Sequence, residues 1–304
     1  MKTNKIFTTV TWVAALVLSI GFTQCTKPEL DDDFPPGDPP PVEGGFVNSS
    51  EIASGELVAY FPFDGSVDDA KNAVSGGAAS GTTSFVPGLK GQAYQGSTNG
   101  YIGYSTPGPL ATLTSFTVSL WINTAKHDGG AQGVFALTKE DGSFWSNFFM
   151  MIEGNNSPEN RMFMKFHFEK NTASFVEHWV EPGKQAIVDY RPDDMYNGWR
   201  HIALTYDEAT SKVIWYINGQ KKELPPNVED RKADGAGTPL GALNFKNPTK
   251  FIIGGMQNHL GAPYNSPEVW MLNYTGKLDE FRIFKKALTG QEISALQILE
   301  RQGR

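Results

Sequence analysis

The chain has 304 residues, 39% of them hydrophobic and 12% aromatic, and its 26 basic and 33 acidic side chains leave a net charge of −7. No cluster of Lys or Arg stands out, which argues against a nucleic-acid surface built on basic residues. A single cysteine rules out a disulfide scaffold, and the scattered histidines offer no His/Cys cluster for structural zinc.

At the start, Lys2 and Lys5 precede an apolar stretch at residues 10–22. That stretch is too short, and wrongly flanked, for a membrane helix, and it reads as a cleaved export signal. Cys25 closes it. The arrangement resembles a bacterial lipoprotein signal, which implies that Cys25 is diacylated and becomes the mature N-terminus. The local Phe22-Thr23-Gln24-Cys25 departs from the usual small-residue pattern and is similar to the looser version in surface lipoproteins of glycan-foraging Gram-negative bacteria. Asp31-Asp32-Asp33 resembles the surface-export signal of the same group. Proline-dense residues 35–41 favour extended polyproline II structure and cannot build a core. The expected division is a signal peptide at 1–24, a lipidated acidic, Pro-rich tether at 25–50, and one folded domain at 51–304. The resemblance implies an outer-membrane, surface-exposed protein held by the lipid on Cys25, with outer-membrane proteins as potential partners.

Strand signals dominate the rest of the chain. Residues 57–63 form an apolar, aromatic run. In residues 115–123, Phe116, Val118, Leu120 and Ile122 face one way and Ser115, Thr117, Ser119 and Trp121 the other. Residues 148–153, 161–169 and 175–180 also read as strands. The second of these has no assignable orientation, because Met162, Met164, Phe166 and Phe168 fit more than one face. Ile202, Leu204 and Tyr206 alternate in residues 199–206, as do Val213, Trp215 and Ile217 in residues 212–217. Asn218-Gly219 then supplies the positive φ angles of a type I′ hairpin turn. Residues 250–255 and 276–284 complete the set. Thr289 and Glu292 form a capping box, and Ile293, Leu296, Ile298 and Leu299 give a short amphipathic C-terminal helix.

Many short strands with turn signals predict an all-β sandwich or barrel. The order of the motifs goes further. Tyr60-Phe61-Pro62-Phe63-Asp64-Gly65 opens the domain, and Gly88-Leu89-Lys90-Gly91-Gln92-Ala93-Tyr94 comes second. Next are Phe116-Thr117-Val118-Ser119-Leu120-Trp121-Ile122, Trp199-Arg200-His201-Ile202-Ala203-Leu204-Thr205-Tyr206-Asp207, and Trp215-Tyr216-Ile217-Asn218-Gly219. Phe251-Ile252-Ile253-Gly254-Gly255 and Leu278-Asp279-Glu280-Phe281-Arg282-Ile283-Phe284 close the series. In this order they resemble the laminin G-like branch of the concanavalin A-like lectin/glucanase superfamily, over residues 55–299. The resemblance implies a two-sheet antiparallel jelly-roll sandwich with its first and last strands paired.

That fold hosts lectins, hydrolases and inert spacers, so function rests on the site. Hydrolases of the superfamily carry alternating carboxylates on one strand, Glu-x-Asp-x-Glu or a close variant. None is present here. Asp279-Glu280 are adjacent and point to opposite faces of a strand, and Glu177 and Glu181 read as solvated positions. The expectation is therefore a non-enzyme. Binding rests on aromatics, because a sugar ring presents an apolar C–H face to a rigid indole or phenol. Trp145, Trp179 and Trp270 lie outside the family motifs, with Tyr264 and His259 in the loop before Trp270. These five are the candidate ligand-binding residues, and packing is the competing role for each tryptophan. Calcium is the other expected ingredient, since the resemblance implies a site that Asp64, Asp69 and Asp279 could supply. Backbone hydrogen bonding at turns is the competing role for those carboxylates. The leading expectation is non-catalytic glycan or polysaccharide binding, accessory to glycan capture or uptake. The alternative is an adhesion or structural module with a protein partner.

Overall fold

The computed structural model describes residues 39–155, 157–158, 160–172, 177–185 and 187–304. Cys25, the signal segment and the acidic and Pro-rich run through residue 38 lie outside the described residues. Among those described, no helix is long and apolar enough to cross a membrane.

In chain order the strands begin with β1 (Leu57–Phe61), β2 (Ser75–Ser80), β3 (Ser84–Pro87), β4 (Gln92–Gln95) and β5 (Tyr101–Thr106). Then come β6 (Phe116–Asn123), β7 (Ala131–Leu137), β8 (Phe148–Glu153), β9 (Phe163–Glu169) and β10 (Glu177–Val180). β11 (Arg200–Asp207), β12 (Lys212–Ile217), β13 (Gln220–Lys222), β14 (Phe251–Ile253), β15 (Met271–Asn273) and β16 (Lys277–Phe284) complete the set. The helices are α1 (Pro226–Glu229) and α2 (Gly290–Arg301).

The strands form two eight-stranded sheets. The first runs β13-β12-β11-β6-β16-β4-β3, with β1 also paired to β16. The second runs β10-β9-β8-β7-β14-β5-β2, with β15 also paired to β7. Pairing is antiparallel throughout except for β15, which runs parallel to β7. First and last strands pair as the resemblance implies, with Phe61 opposite Phe281.

The alternation read from the sequence sets which side chains meet between the sheets. Phe116, Val118, Leu120 and Ile122 of β6 enter the central core with Ile202, Leu204, Val213 and Trp215. Rings from both sheets interlock there: Phe116 lies 4.5 Å from Phe148, and Phe135 lies 5.3 Å from Phe281. Each fully buried phenyl contributes about 2 kcal/mol from area removed from water. Asn218 (φ 49°) and Gly219 (φ 76°) turn β12 into β13 with Ile217 opposite Gln220. Two consecutive positive φ angles are what a right-twisted two-residue hairpin demands.

The outer face of the first sheet is also covered. Thr289 caps α2 by accepting from the Glu292 N–H, and Glu292 accepts from the Thr289 N–H. Ile293, Leu296 and Leu299 of the helix pack on Ala203, Tyr216 and Phe284. Val42 and Phe46, which the sequence assigns to the end of the tether, pack on the same cluster. Beneath the helix, Arg282 donates to Glu280 and Glu300, and Trp121 donates to Glu300. This layer covers part of the outer face of the first sheet, and the outer face of the second sheet carries no such helix among the described residues.

Two strands of that sheet carry no apolar alternation. β2 is Ser-Gly-Gly-Ala-Ala-Ser, largely exposed, and forms as an edge strand on β5. β7 is buried along its whole length and so shows no polar face.

Candidate functional site

On the second sheet β10, β9, β8 and β7 lie side by side, and their outward residues share one face. Phe149 and Met151 of β8 form an apolar floor there with Ala131 and Ala136 of β7. Trp145, Trp179 and Trp270 stand over this floor, all half-buried. Trp145 comes from the loop between β7 and β8, Trp179 from β10, and Trp270 from the residue before β15. Their rings meet: Trp145 and Trp179 are 5.0 Å apart edge to face, and Trp145 and Trp270 are 5.9 Å apart. Together with Gly130, Met151, Glu153, Asn155, Lys165 and Glu181 they line an open cleft of about 380 Å³.

Each tryptophan is held by identifiable contacts. Asn147 fixes the Trp145 loop, donating to the Thr138 and Lys246 carbonyls at 2.6 and 2.7 Å and accepting from the Lys246 N–H at 2.9 Å. Gln257 donates to the Ser143 and Phe144 carbonyls, and its own oxygen accepts from the Lys139 N–H. The Trp145 ring then stacks on Phe149 at 5.4 Å. Trp179 donates its Nε1 to Glu177 at 2.8 Å, and its carbonyl accepts from Arg231 at 3.0 Å. The segment at residues 225–247 thus braces β10 through Arg231 and fills the core edge with Leu240, Leu243 and Phe245. Trp270 is set by its carbonyl, which accepts from the Ala131 N–H at 2.7 Å. Gly130 (φ 54°) makes that approach possible, because a side chain there would run into the Trp270 carbonyl.

Charge flanks the aromatic pad. At one end Lys165 bridges Glu153 at 2.9 Å and Glu181 at 3.4 Å, and its ammonium lies 5.9 Å from the Trp179 ring. At the other, His167 sits under Trp179 at 4.5 Å and against Phe149 at 4.8 Å. Burial, aided by the Lys139 charge, holds the His167 imidazole down at about 3. Glu169 is paired with Lys139 at 2.5 Å, yet burial pushes its carboxyl up to about 7. A smaller polar cavity of about 200 Å³ adjoins this end, lined by Lys139, Asp141, Glu169 and Lys246 among others.

The five candidate ligand-binding residues separate into two groups. Trp145, Trp179 and Trp270 converge on the cleft, whereas Tyr264 and His259 do not line it. Tyr264 is buried, its hydroxyl bonded to Thr249 and Thr138, which leaves it no face for a ligand. His259 accepts from the Met256 N–H at 3.0 Å and packs toward Tyr101. Both shape the loop that precedes Trp270.

The expected calcium ligands do not come together. Asp69 is buried and accepts from four backbone N–H groups, those of Tyr60, Lys71, Ala73 and Val74. Asp279 accepts from Leu89, Lys90 and Glu280, and burial raises its carboxyl to about 7 in spite of these donors. Asp64 accepts from the Gln92 N–H at 2.8 Å. All three carboxylates organise loop backbone, and among the described residues they are not grouped at metal-ligand spacing. Among the described residues the group with metal-ligand spacing is instead His167, Glu169 and Glu177.

Sequence reading missed Glu153, Lys165, His167 and Glu169. The signal was present: Lys165, His167 and Glu169 alternate on β9 and mark its outward face, while Met164, Phe166 and Phe168 point into the core.

No curated protein sequence matches the chain. Solved structures share its fold at low identity. Domain 4 of AbnA, a GH43 extracellular arabinanase from Geobacillus stearothermophilus solved with arabinotriose, is 18% identical, with a TM-score of 0.51 over 80% of this chain and 98% of its own. The binding domain of botulinum neurotoxin DC, solved with rat synaptotagmin II, is 15% identical, with a TM-score of 0.52 over 81% of this chain and 52% of its own. A botulinum neurotoxin type C structure, concerned with cell entry dependent on two ganglioside molecules, is 15% identical, with a TM-score of 0.52 over 83% of this chain and 52% of its own. The match thus spans about half of each botulinum domain. A sequence profile described as the concanavalin A-like lectin/glucanases superfamily (Laminin_G_3) matches residues 96–294. With two packed sheets and a profile match over more than half its length, the chain belongs to the concanavalin A-like lectin/glucanases superfamily.

Proposed function

We propose that the chain is a non-catalytic carbohydrate-binding protein whose site is the cleft of Trp145, Trp179 and Trp270. The observation that carries this reading is their convergence over one apolar floor, with Glu153, Asn155, Lys165 and Glu181 at the rim. Indole faces take the C–H surface of a sugar, and the rim groups take its hydroxyls. Arabinotriose in the AbnA domain, which is matched over 98% of its own length, is a glycan precedent on a similar sandwich.

A binding role is favoured over hydrolysis by the chemistry of the cleft. The alternating outward residues of β9 are Lys165, His167 and Glu169, one carboxylate rather than two. The two rim carboxylates, Glu153 and Glu181, are both engaged by the Lys165 ammonium. A glycosidase needs one carboxyl free to give a proton and another free to attack or to activate water. The reading extends to the cell: a lipid on Cys25 holds the domain at the outer surface of the outer membrane, where it serves glycan capture.

The test is a glycan-array screen of the full chain, followed by a reducing-end assay on every glycan that binds. Saturable binding without new reducing ends supports the reading. Release of reducing ends would make the protein a hydrolase. A folded sample that binds no glycan would move the assignment to a protein-binding module.

A further inference from the structure

Beyond the aromatic pad, the paired strands β9 and β10 place two carboxylates directly opposite each other, Glu169 against Glu177. Like charges in direct cross-strand register repel, and such a pair calls for a cation between or beside it. Lys139 meets only part of that demand, because its ammonium engages Glu169 Oε2 at 2.5 Å. The other oxygen, Glu169 Oε1, is buried with no hydrogen-bond partner. His167 Nε2 lies 3.8 Å from it and is likewise without a partner, on a side chain that is 0% exposed. Two orphaned polar atoms thus face each other in the interior, where each would otherwise carry an uncompensated desolvation cost.

The third group completes a ligand set. One atom from each of His167, Glu169 and Glu177 lies within 4.8 Å of the others. Shifts of about 1 Å, freest in the exposed Glu177, would bring them to the roughly 2.0–2.2 Å bonds of a first-row divalent ion. An imidazole nitrogen with two carboxylates suits zinc and its neighbours, whereas calcium takes oxygen ligands. Glu177 is exposed, which gives an ion a route in from solvent. We propose that His167, Glu169 and Glu177 form a binding site for a divalent transition ion of the zinc class, roofed by Trp179. This inference does not depend on the glycan reading. It does connect to the cleft, because Trp179 lies 4.5 Å from the His167 ring and donates Nε1 to Glu177. An ion on Glu177 would alter the environment of a cleft tryptophan.

The test is titration of the untagged full chain with Zn²⁺, and separately with Ca²⁺, read by calorimetry and by tryptophan fluorescence. The expected result is one Zn²⁺ per chain, with a fluorescence change that saturates at the same stoichiometry and little response to Ca²⁺. Glu177→Gln lies at an exposed position and leaves the fold intact; it is expected to weaken zinc by at least about 10-fold. His167→Asn is expected to weaken it further, and Lys139→Met, by removing a competing cation, to tighten it by about 10-fold. No zinc bound at 100-fold molar excess would overturn the proposal. So would zinc whose affinity is unchanged in both Glu177→Gln and His167→Asn, since it would then sit on other side chains.

Discussion

Glu300 is a buried carboxylate on which two side-chain donors converge. It sits in the last turn of α2, fully buried, and takes Arg282 Nε on Oε1 and Trp121 Nε1 on Oε2, both at 2.7 Å. Arg282 in turn donates to Glu280 at 2.7 Å and to Ser49 at 3.2 Å, and lies 3.9 Å over the Tyr60 ring. The network ties α2, β1, β6, β16 and the segment before β1 into one unit. Glu300→Ala leaves the guanidinium with one carboxylate in place of two and orphans the Trp121 N–H. Breaking a buried pair by removing one partner costs about 3–5 kcal/mol, of which an unsatisfied indole N–H can account for about 1–3 kcal/mol. For a domain of this size about 2–4 °C of melting temperature accompanies each kcal/mol, so a fall of about 10 °C is expected. Glu300→Gln keeps an acceptor for Trp121 and should lose about half as much. Thermal melts at pH 7 tracked by circular dichroism would decide it. A Glu300→Ala protein melting within about 2 °C of the parent would refute the reasoning, because the network would then contribute nothing net.

Other sites yield further expected outcomes. Burial holds the His201 imidazole neutral, down at about 3, while the unfolded chain protonates it near 6.5. The unfolded state therefore binds the extra proton across that window, and stability falls as pH drops from 6.5 toward 3. Between pH 6.5 and 4.5 the loss from this residue is about 2 kcal/mol, measurable by urea unfolding as acid sensitivity that His201→Gln reduces. Asp69→Ala strips the acceptor from four backbone N–H groups and should cost about 3 kcal/mol, and added calcium should not raise the melting temperature of the parent. A calcium-dependent rise would assign that aspartate a metal role. Asn147→Ala removes the clamp on the Trp145 loop, so glycan affinity should fall about 10-fold although Asn147 does not line the cleft. Unchanged affinity would mean that the loop is held by Gln257 alone.

Much of the sandwich could be read from the chain because its signals are local. Alternation in residues 116–122, 202–206 and 213–217 depends only on which neighbours are apolar, and the structure puts those residues in the core. Asn218-Gly219 and the Thr289–Glu292 box are equally local, and both form. The site is less legible because it depends on sheet order. Trp145, Trp179 and Trp270 are separated by 34 and 91 residues in the numbering, and they meet only because β10, β9, β8 and β7 are adjacent and β15 returns parallel to β7. Their position outside the family motifs singled them out, but nothing local placed them together. Tyr264 and His259 shared that position and instead became loop supports. The aspartates show a different limit. A carboxylate that gathers backbone N–H groups and one that gathers a cation occur in the same turn-rich context, and only the three-dimensional donors separate them. On β9 the polar alternation of Lys165, His167 and Glu169 opposite Met164, Phe166 and Phe168 is legible, and Phe163 on the polar side is what interrupts it.

The most direct test of the glycan cleft is calorimetric titration of the parent and of Trp270→Ala with the tightest glycan from the array. Trp270 is half-buried at the cleft wall, and its ring contacts are with Phe144 and Trp145 rather than with the central core. Its truncation should leave the melting temperature within a few degrees of the parent while raising Kd by about 30-fold, the roughly 2 kcal/mol of an aromatic hot spot. An unchanged Kd in a folded Trp270→Ala protein would mean that sugar binds elsewhere, and the cleft would lose its assignment.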